Sequence, residues 1–162
     1  YLKIISAKTA SLFAAATKVG SILANKENKI KEALEFYGKN LGLTFQIADD
    51  TLDYNSELKL FGKEIGNDFY EGKITLPIIL LYQKLKNYEK KELKELFEKK
   101  ERSEEEFKKV LLMIKKYNII FECYKKAEHF INLASNSLSI FSDTKEKNIL
   151  QNLTSFSLKR TF

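Results

Sequence analysis

Three of the chain's five aspartates, Asp49, Asp50 and Asp53, fall within five positions. On a helix, Asp49 and Asp53 lie one turn apart and share a face, and Gln46 lies one turn before Asp49 and Asp50. Like charges at this spacing destabilise a helix by roughly 0.2–0.5 kcal/mol per pair. No lysine or arginine sits three or four residues from Asp49 or Asp50 to offset that repulsion. An external cation would. Carboxylate oxygens without a nearby thiolate or imidazole suit a hard ion, and magnesium binds through a few carboxylates together with substrate phosphates. The single histidine, His129, has no neighbour at a metal-ligand spacing and reads as an ordinary surface or core residue.

A solvated acidic helix face would also account for the aspartates. Two features favour a site. Phe45, Ile47, Ala48 and Leu52 flank the cluster, so it borders a core. The following segment, Asn55 to Lys73, carries three of the six glycines and the spaced lysines Lys59, Lys63 and Lys73. Such lysines can hold phosphate oxygens. A connection of this length is more often functional than inert.

Helices must position these groups. Leu2 to Ala24 is rich in alanine and serine, which lets a neighbouring helix come close. Asn28 is an N-cap candidate for a helix from Lys29 to about Tyr54, whose apolar positions include Ala33, Phe36, Leu41, Phe45, Ala48 and Leu52. One short helical turn is expected within Asn55–Lys73. Pro77 suits the first turn of a helix through the apolar run Leu76–Tyr82. Ser103 with Glu106 forms a capping box for a helix towards Tyr117. Cys123, Ala127, Phe130, Ala134, Leu138 and Phe141 recur at helical spacing, and Asp143 with Glu146 predicts a cap for a last helix. The sum is an all-α fold of roughly seven helices.

Composition narrows the function. With 162 residues, 44% hydrophobic and 31% charged, the chain is globular. One proline and six glycines are too few for the turns of a β-sandwich. The lone Cys123 excludes an intrachain disulfide and predicts a reducing, cytoplasmic setting. No apolar run is long enough to span a membrane, and no leader is expected. The net charge is +6, but lysine and glutamate interleave between Lys84 and Lys109 as on a solvated helical face, and only Arg102 and Arg160 could read bases. Nucleic acid is therefore not an expected partner.

Three blocks together carry a family resemblance. The run from Gly42 to Tyr54, centred on Gln46-Ile47-Ala48-Asp49-Asp50-Thr51-Leu52-Asp53, resembles the second aspartate-rich motif of trans-polyprenyl diphosphate synthases. Gly62 to Asp68 and Glu71 to Pro77 resemble the segment that follows it. Lys8-Thr9-Ala10 with Leu12-Phe13 resembles the family's Lys-Thr helix. Long-chain members of the octaprenyl type are the nearest in pattern. The resemblance implies an isoprenoid synthase fold helical bundle. Residues 1–162 would be the C-terminal portion of one polyprenyl synthase domain.

By that resemblance the enzyme elongates an allylic diphosphate with isopentenyl diphosphate, using magnesium. Asp49 would bind the metal directly, with Asp50 and Asp53 supporting it through water or outer contacts. Lys8 and Lys63 would hold the allylic diphosphate, with Lys73 as a further substrate-binding residue. Thr9 and Gln46 would place oxygens near the developing allylic cation. Asp68 also matches, with a less defined role. The first aspartate-rich motif, its paired arginine and the groups for isopentenyl diphosphate have no counterpart here. The chain also opens at Tyr1 in a helical pattern. It is thus expected to be part of a longer enzyme, or to need a separately encoded N-terminal half, and to form a homo-oligomer. A non-catalytic helical scaffold, a basic membrane-surface or nucleic-acid binder and a terpene cyclase relative are the competing readings.

Overall fold

The computed structural model describes residues 1–55 and 65–159. Among them the structure is helical, with no strand. The chain forms two compact units, residues 1–48 with 124–162 and residues 49–123.

The first unit begins with α1 (Leu2–Ile5), a π-helical turn (Ser6–Ala10) and α2 (Ser11–Leu23). The sequence had suggested one uninterrupted helix to Ala24; the π-turn interrupts it at Lys8 and Thr9. After a turn through Asn25, which is left-handed (φ 49°), α3 runs from Asn28 to Leu52. Asn28 is thus the first helical residue rather than the cap. Small residues decide how α2 and α3 meet. A methyl group on Gly42 would stand 2.7 Å from Ala10 Cα, and one on Gly38 would overlap the Thr17 hydroxyl and the Phe13 carbonyl. The Thr17 hydroxyl donates across the same contact to the Leu34 carbonyl at 2.6 Å.

The core of this unit joins Tyr37, Leu41, Ala134 and Leu138, with Phe13, Leu34, Phe141 and Leu150 packed around them. Tyr37 is fully buried, and its hydroxyl donates to the Leu150 carbonyl at 2.8 Å. Phe36, expected on the apolar face of α3, is instead exposed. The helix read through Phe141 is α8 (Ile119–Ser137), followed by a 3-10 turn at Leu138–Ile140. The last helix, α9 (Lys145–Lys159), is capped by Thr144, whose hydroxyl accepts from the Lys147 amide. Asp143, expected in that role, pairs with the Lys147 ammonium at 2.8 Å.

The second unit holds the end of α3, then α4 (Asn67–Tyr70), α5 (Leu76–Lys84), α6 (Asn87–Glu98), α7 (Glu104–Lys116) and the start of α8. α4 is the short turn expected in the long connection. Pro77 occupies the first turn of α5, where its missing N–H leaves no gap. The Ser103–Glu106 capping box is present, with the Ser103 amide donating to Glu106 Oε2 at 2.8 Å. Phe69 anchors an aromatic cluster, its ring 5.3 Å from Phe107 and 5.7 Å from Phe97. Nine α-helices result among the described residues, against roughly seven expected. The π-turn and the Leu85–Lys86 break account for the difference.

One expectation fails in α6. The lysine–glutamate run was read as a solvated face, yet Glu89 is only 5% exposed. Its carboxylate accepts from the Tyr117 hydroxyl at 2.6 Å, the Lys116 ammonium at 2.9 Å and the Lys86 amide at 3.1 Å. Those donors, the Tyr117 hydroxyl first, hold its pKa down at about 2. A charge pattern does not reveal which glutamate turns inward.

Candidate active site

Of the residues singled out by type and spacing, α3 carries Gln46, Asp49 and Asp50, and Asp53 follows its end directly. In the first unit, its Gln46 meets the π-turn. The Thr9 hydroxyl donates to Gln46 Oε1 at 2.7 Å, joining two positions 37 residues apart. The contact forms because Ala10 is fully buried and Gly42 lets the π-turn approach α3. Phe13 and Phe45 wall it, with ring centroids 5.5 Å apart. Single π-turns inside α-helices are frequent at functional sites. Lys8 is exposed beside Thr9.

In the second unit, the three aspartates differ in setting. Asp49 is exposed and Asp50 is buried, at 5% exposure. Asp53 is half-buried and faces the N-terminus of α4. Its Oδ1 accepts from the amides of Gly66 and Asn67 at 3.1 Å each, and its Oδ2 from the Asp68 amide at 2.7 Å. Burial outweighs these donors and raises the Asp53 pKa from its ordinary value. Gly66 reaches this arrangement with φ 93°, a conformation open to glycine.

Lys73 follows α4 and Gly72. Its ammonium lies 2.6 Å from Glu71 and 3.3 Å from Asp68 Oδ1, and these partners raise its pKa. Lys63 and Lys59 lie outside the described residues. The structure thus brings Thr9 and Gln46 together, and links Asp53, Asp68 and Lys73 through α4.

Among the described residues, no group of three or more histidine, cysteine, aspartate or glutamate side chains converges to hold a metal. The aspartates do not form a closed cage. Exposed Asp49 is a hard oxygen donor, which fits a magnesium ion that keeps waters and is shared with a phosphate. Cys123 is fully buried, and burial pushes its thiol up to about 12, so it is no thiolate ligand.

Two residues that sequence reasoning passed over belong to this region. Tyr54 is 1% exposed, and burial raises the pKa of its hydroxyl, which the Thr75 hydroxyl opposes. Its proximity to the aspartates, directly after Asp53, was the available signal. Arg102 donates to the Tyr70 and Phe97 carbonyls with its guanidinium against Gly72, which no local pattern could announce.

Comparison with known proteins decides the family. The family model described as polyprenyl synthetase matches residues 1–114. The chain belongs to the polyprenyl synthetase family. It is 33% identical to a geranylgeranyl diphosphate synthase of Sulfolobus acidocaldarius, covering 99% of this chain and 49% of that protein. It is 44% identical to the octaprenyl diphosphate synthase of Escherichia coli over 79 residues, 49% of this chain and 24% of that protein. Among solved structures, a Caulobacter crescentus polyprenyl synthase complexed with calcium and isoprenyl diphosphate matches with a TM-score of 0.92 and 35% identity. That match covers 100% of this chain and 49% of the other. The isoprenoid synthase helical fold expected from the sequence is therefore the fold of this polyprenyl synthetase chain. It spans about half the length of the curated relatives it matches. No helix among the described residues is long and apolar enough to cross a membrane.

Proposed function

We propose that this chain supplies the allylic-diphosphate side of a trans-polyprenyl diphosphate synthase, elongating an allylic diphosphate with isopentenyl diphosphate. The observation that carries the reading is the Thr9–Gln46 hydrogen bond, set on the helix that also carries Asp49. A helical scaffold needs neither that pair nor the aspartate set.

In this reading Asp49 ligates Mg2+, while Asp50 and Asp53 support it indirectly. Asp53 acts by fixing α4, to judge from its three amide contacts. Magnesium, when bound, stabilises the charge that builds on the departing pyrophosphate. Lys8, Lys63 and Lys73 neutralise the same phosphate oxygens. The Thr9 hydroxyl donates a hydrogen bond to Gln46, which leaves its own lone pairs available to the developing allylic cation. A neutral oxygen stabilises that cation without capturing it. Apolar walls must keep out water, which would quench it.

The first aspartate-rich motif and the isopentenyl diphosphate groups are supplied by the N-terminal half of the domain, whether in the same polypeptide or another. A homo-oligomer and a cytoplasmic location complete the reading. The test is calorimetric titration of the chain with magnesium and inorganic pyrophosphate. Binding that Asp49→Ala abolishes is expected; binding retained by that variant overturns the assignment. Turnover of farnesyl diphosphate with labelled isopentenyl diphosphate is expected only when the N-terminal half is present.

A further inference from the structure

Arg102 occupies the connection between α6 and α7, directly before the Ser103 cap. Its guanidinium donates through Nη2 to the Phe97 carbonyl at 2.7 Å and through Nη1 to the Tyr70 carbonyl at 3.3 Å. It also lies over the Phe97 ring, 5.3 Å from the centroid. These carbonyls belong to the ends of α6 and α4, where unpaired carbonyls concentrate partial negative charge. Arg102 therefore clamps two helix ends with one planar fork.

Gly72 lies against that fork. A methyl group there would stand 2.7 Å from Arg102 Nη2, and the residue has φ 73°. Gly72 is the left-handed residue that ends α4, and the chain leaves it directly into Lys73. The Lys73 amide donates to the Asp68 carbonyl at 2.8 Å, and the Gly72 amide to the Phe69 carbonyl at 3.0 Å. Asp53 fixes the start of α4 and Arg102 fixes its end, so the direction in which Lys73 leaves is set from both sides.

The Arg102 Nε is buried and has no hydrogen-bond partner among the described residues. We propose that Arg102 is a positioning residue for Lys73: by holding the Gly72 turn it fixes the backbone from which the lysine ammonium, paired in this structure with Glu71 and Asp68, reaches the substrate diphosphate. This rests on the reading above that Lys73 binds that diphosphate.

The test has two arms on the unliganded and liganded chain. Without ligand, amide hydrogen exchange at Gly72 and Lys73 accelerates in Arg102→Ala, while that at Val110 in α7 does not change. Unchanged exchange at Gly72 and Lys73 overturns the proposal. With magnesium and inorganic pyrophosphate as probe, Lys73→Ala weakens binding about tenfold, the scale of one charge-assisted hydrogen bond. Arg102→Ala weakens it by a similar factor, and the double variant binds no more weakly than Lys73→Ala alone. Additive losses overturn the proposal, because Arg102 would then act independently of Lys73. A Lys73→Ala variant with undiminished binding, or an unsubstituted chain that does not bind, overturns the reading of Lys73 and the proposal with it. Arg102→Lys covers an alanine variant that does not fold. A lysine keeps the charge but cannot bridge both carbonyls, so the same loss is expected.

Discussion

The Thr9 hydroxyl and the Gln46 side-chain oxygen are hydrogen-bonded at 2.7 Å, although 37 residues separate them. The bond ties the π-turn to α3 at the residues expected to face a developing cation. Thr9→Val removes the donor at nearly constant volume and takes this hydrogen bond from the part-buried Gln46 oxygen. We expect a loss of about 1–2 kcal/mol in urea unfolding. Adding Gln46→Leu should recover part of it, because both polar partners are then gone. Fully additive losses would show that the bond contributes nothing to stability.

Gly42 and Gly38 set the distance between α2 and α3. Alanine at Gly42 gains helix propensity of about 1 kcal/mol over glycine. The added methyl, however, meets backbone at 2.7 Å, at Ala10 Cα. Backbone does not yield as a side-chain tip would, so overpacking of about 1–3 kcal/mol should exceed the propensity gain. Gly42→Ala is expected to unfold at lower denaturant concentration. Gly20, with nothing within 4 Å of an added methyl, is the control, and Gly20→Ala should stabilise slightly.

The sequence was most legible where chemistry and structure are local. The Ser103 capping box, Pro77 in the first turn of α5 and the periodicity through Cys123, Ala127 and Ala134 depend on neighbours a few residues away. Each is present in the structure. The aspartate run was legible because repulsion at helical spacing is itself a local quantity. The π-turn was not, because it is fixed by the approach of Gly42 to Ala10, far apart in sequence. Glu89 was misread for a similar reason. Its partners Lys116 and Tyr117 lie 27 and 28 residues on, invisible to a charge pattern. Arg102 likewise acts on Tyr70, 32 residues before it.

Asp53 binds α4 through three amides, a geometry that needs two acceptor oxygens. Asp53→Asn keeps one oxygen and turns an NH2 group towards an amide donor. A loss of about 1–3 kcal/mol is expected, the scale of hydrogen bonds to a charged group. It should be local. Amide exchange should accelerate through Asn67–Tyr70 and leave α9 unchanged. Unaltered exchange in α4 would mean that the turn holds itself.

Cys123 is fully buried, and burial pushes its thiol up to about 12. Little thiolate exists in the folded chain at pH 8, and reagents have no access to it. Alkylation by iodoacetamide, followed by mass spectrometry, should therefore proceed at the rate of unfolding. It should rise with urea in step with the helical signal lost. Fast labelling of the folded chain would contradict the packing around α8.

Glu89 makes stability depend on acidity. Its pKa is held at about 2, below the ordinary 4.5, by the Tyr117 hydroxyl, the Lys116 ammonium and the Lys86 amide. The unfolded chain therefore takes up a proton near pH 4.5 that the folded chain accepts only near pH 2. The stabilisation from Glu89 is complete above about pH 4.5 and fades as the pH falls towards 2. Asp53 works in the opposite direction, because burial raises its pKa and its ionisation opposes folding as the pH rises. Glu89→Gln keeps the size and an acceptor oxygen but removes the titration. Its Tm should lie below that of the unsubstituted chain at pH 7, and the gap should narrow steadily from pH 4.5 to pH 2.5. A gap constant over that range would show that the Glu89 carboxylate is not the charge that Lys116 and Tyr117 stabilise.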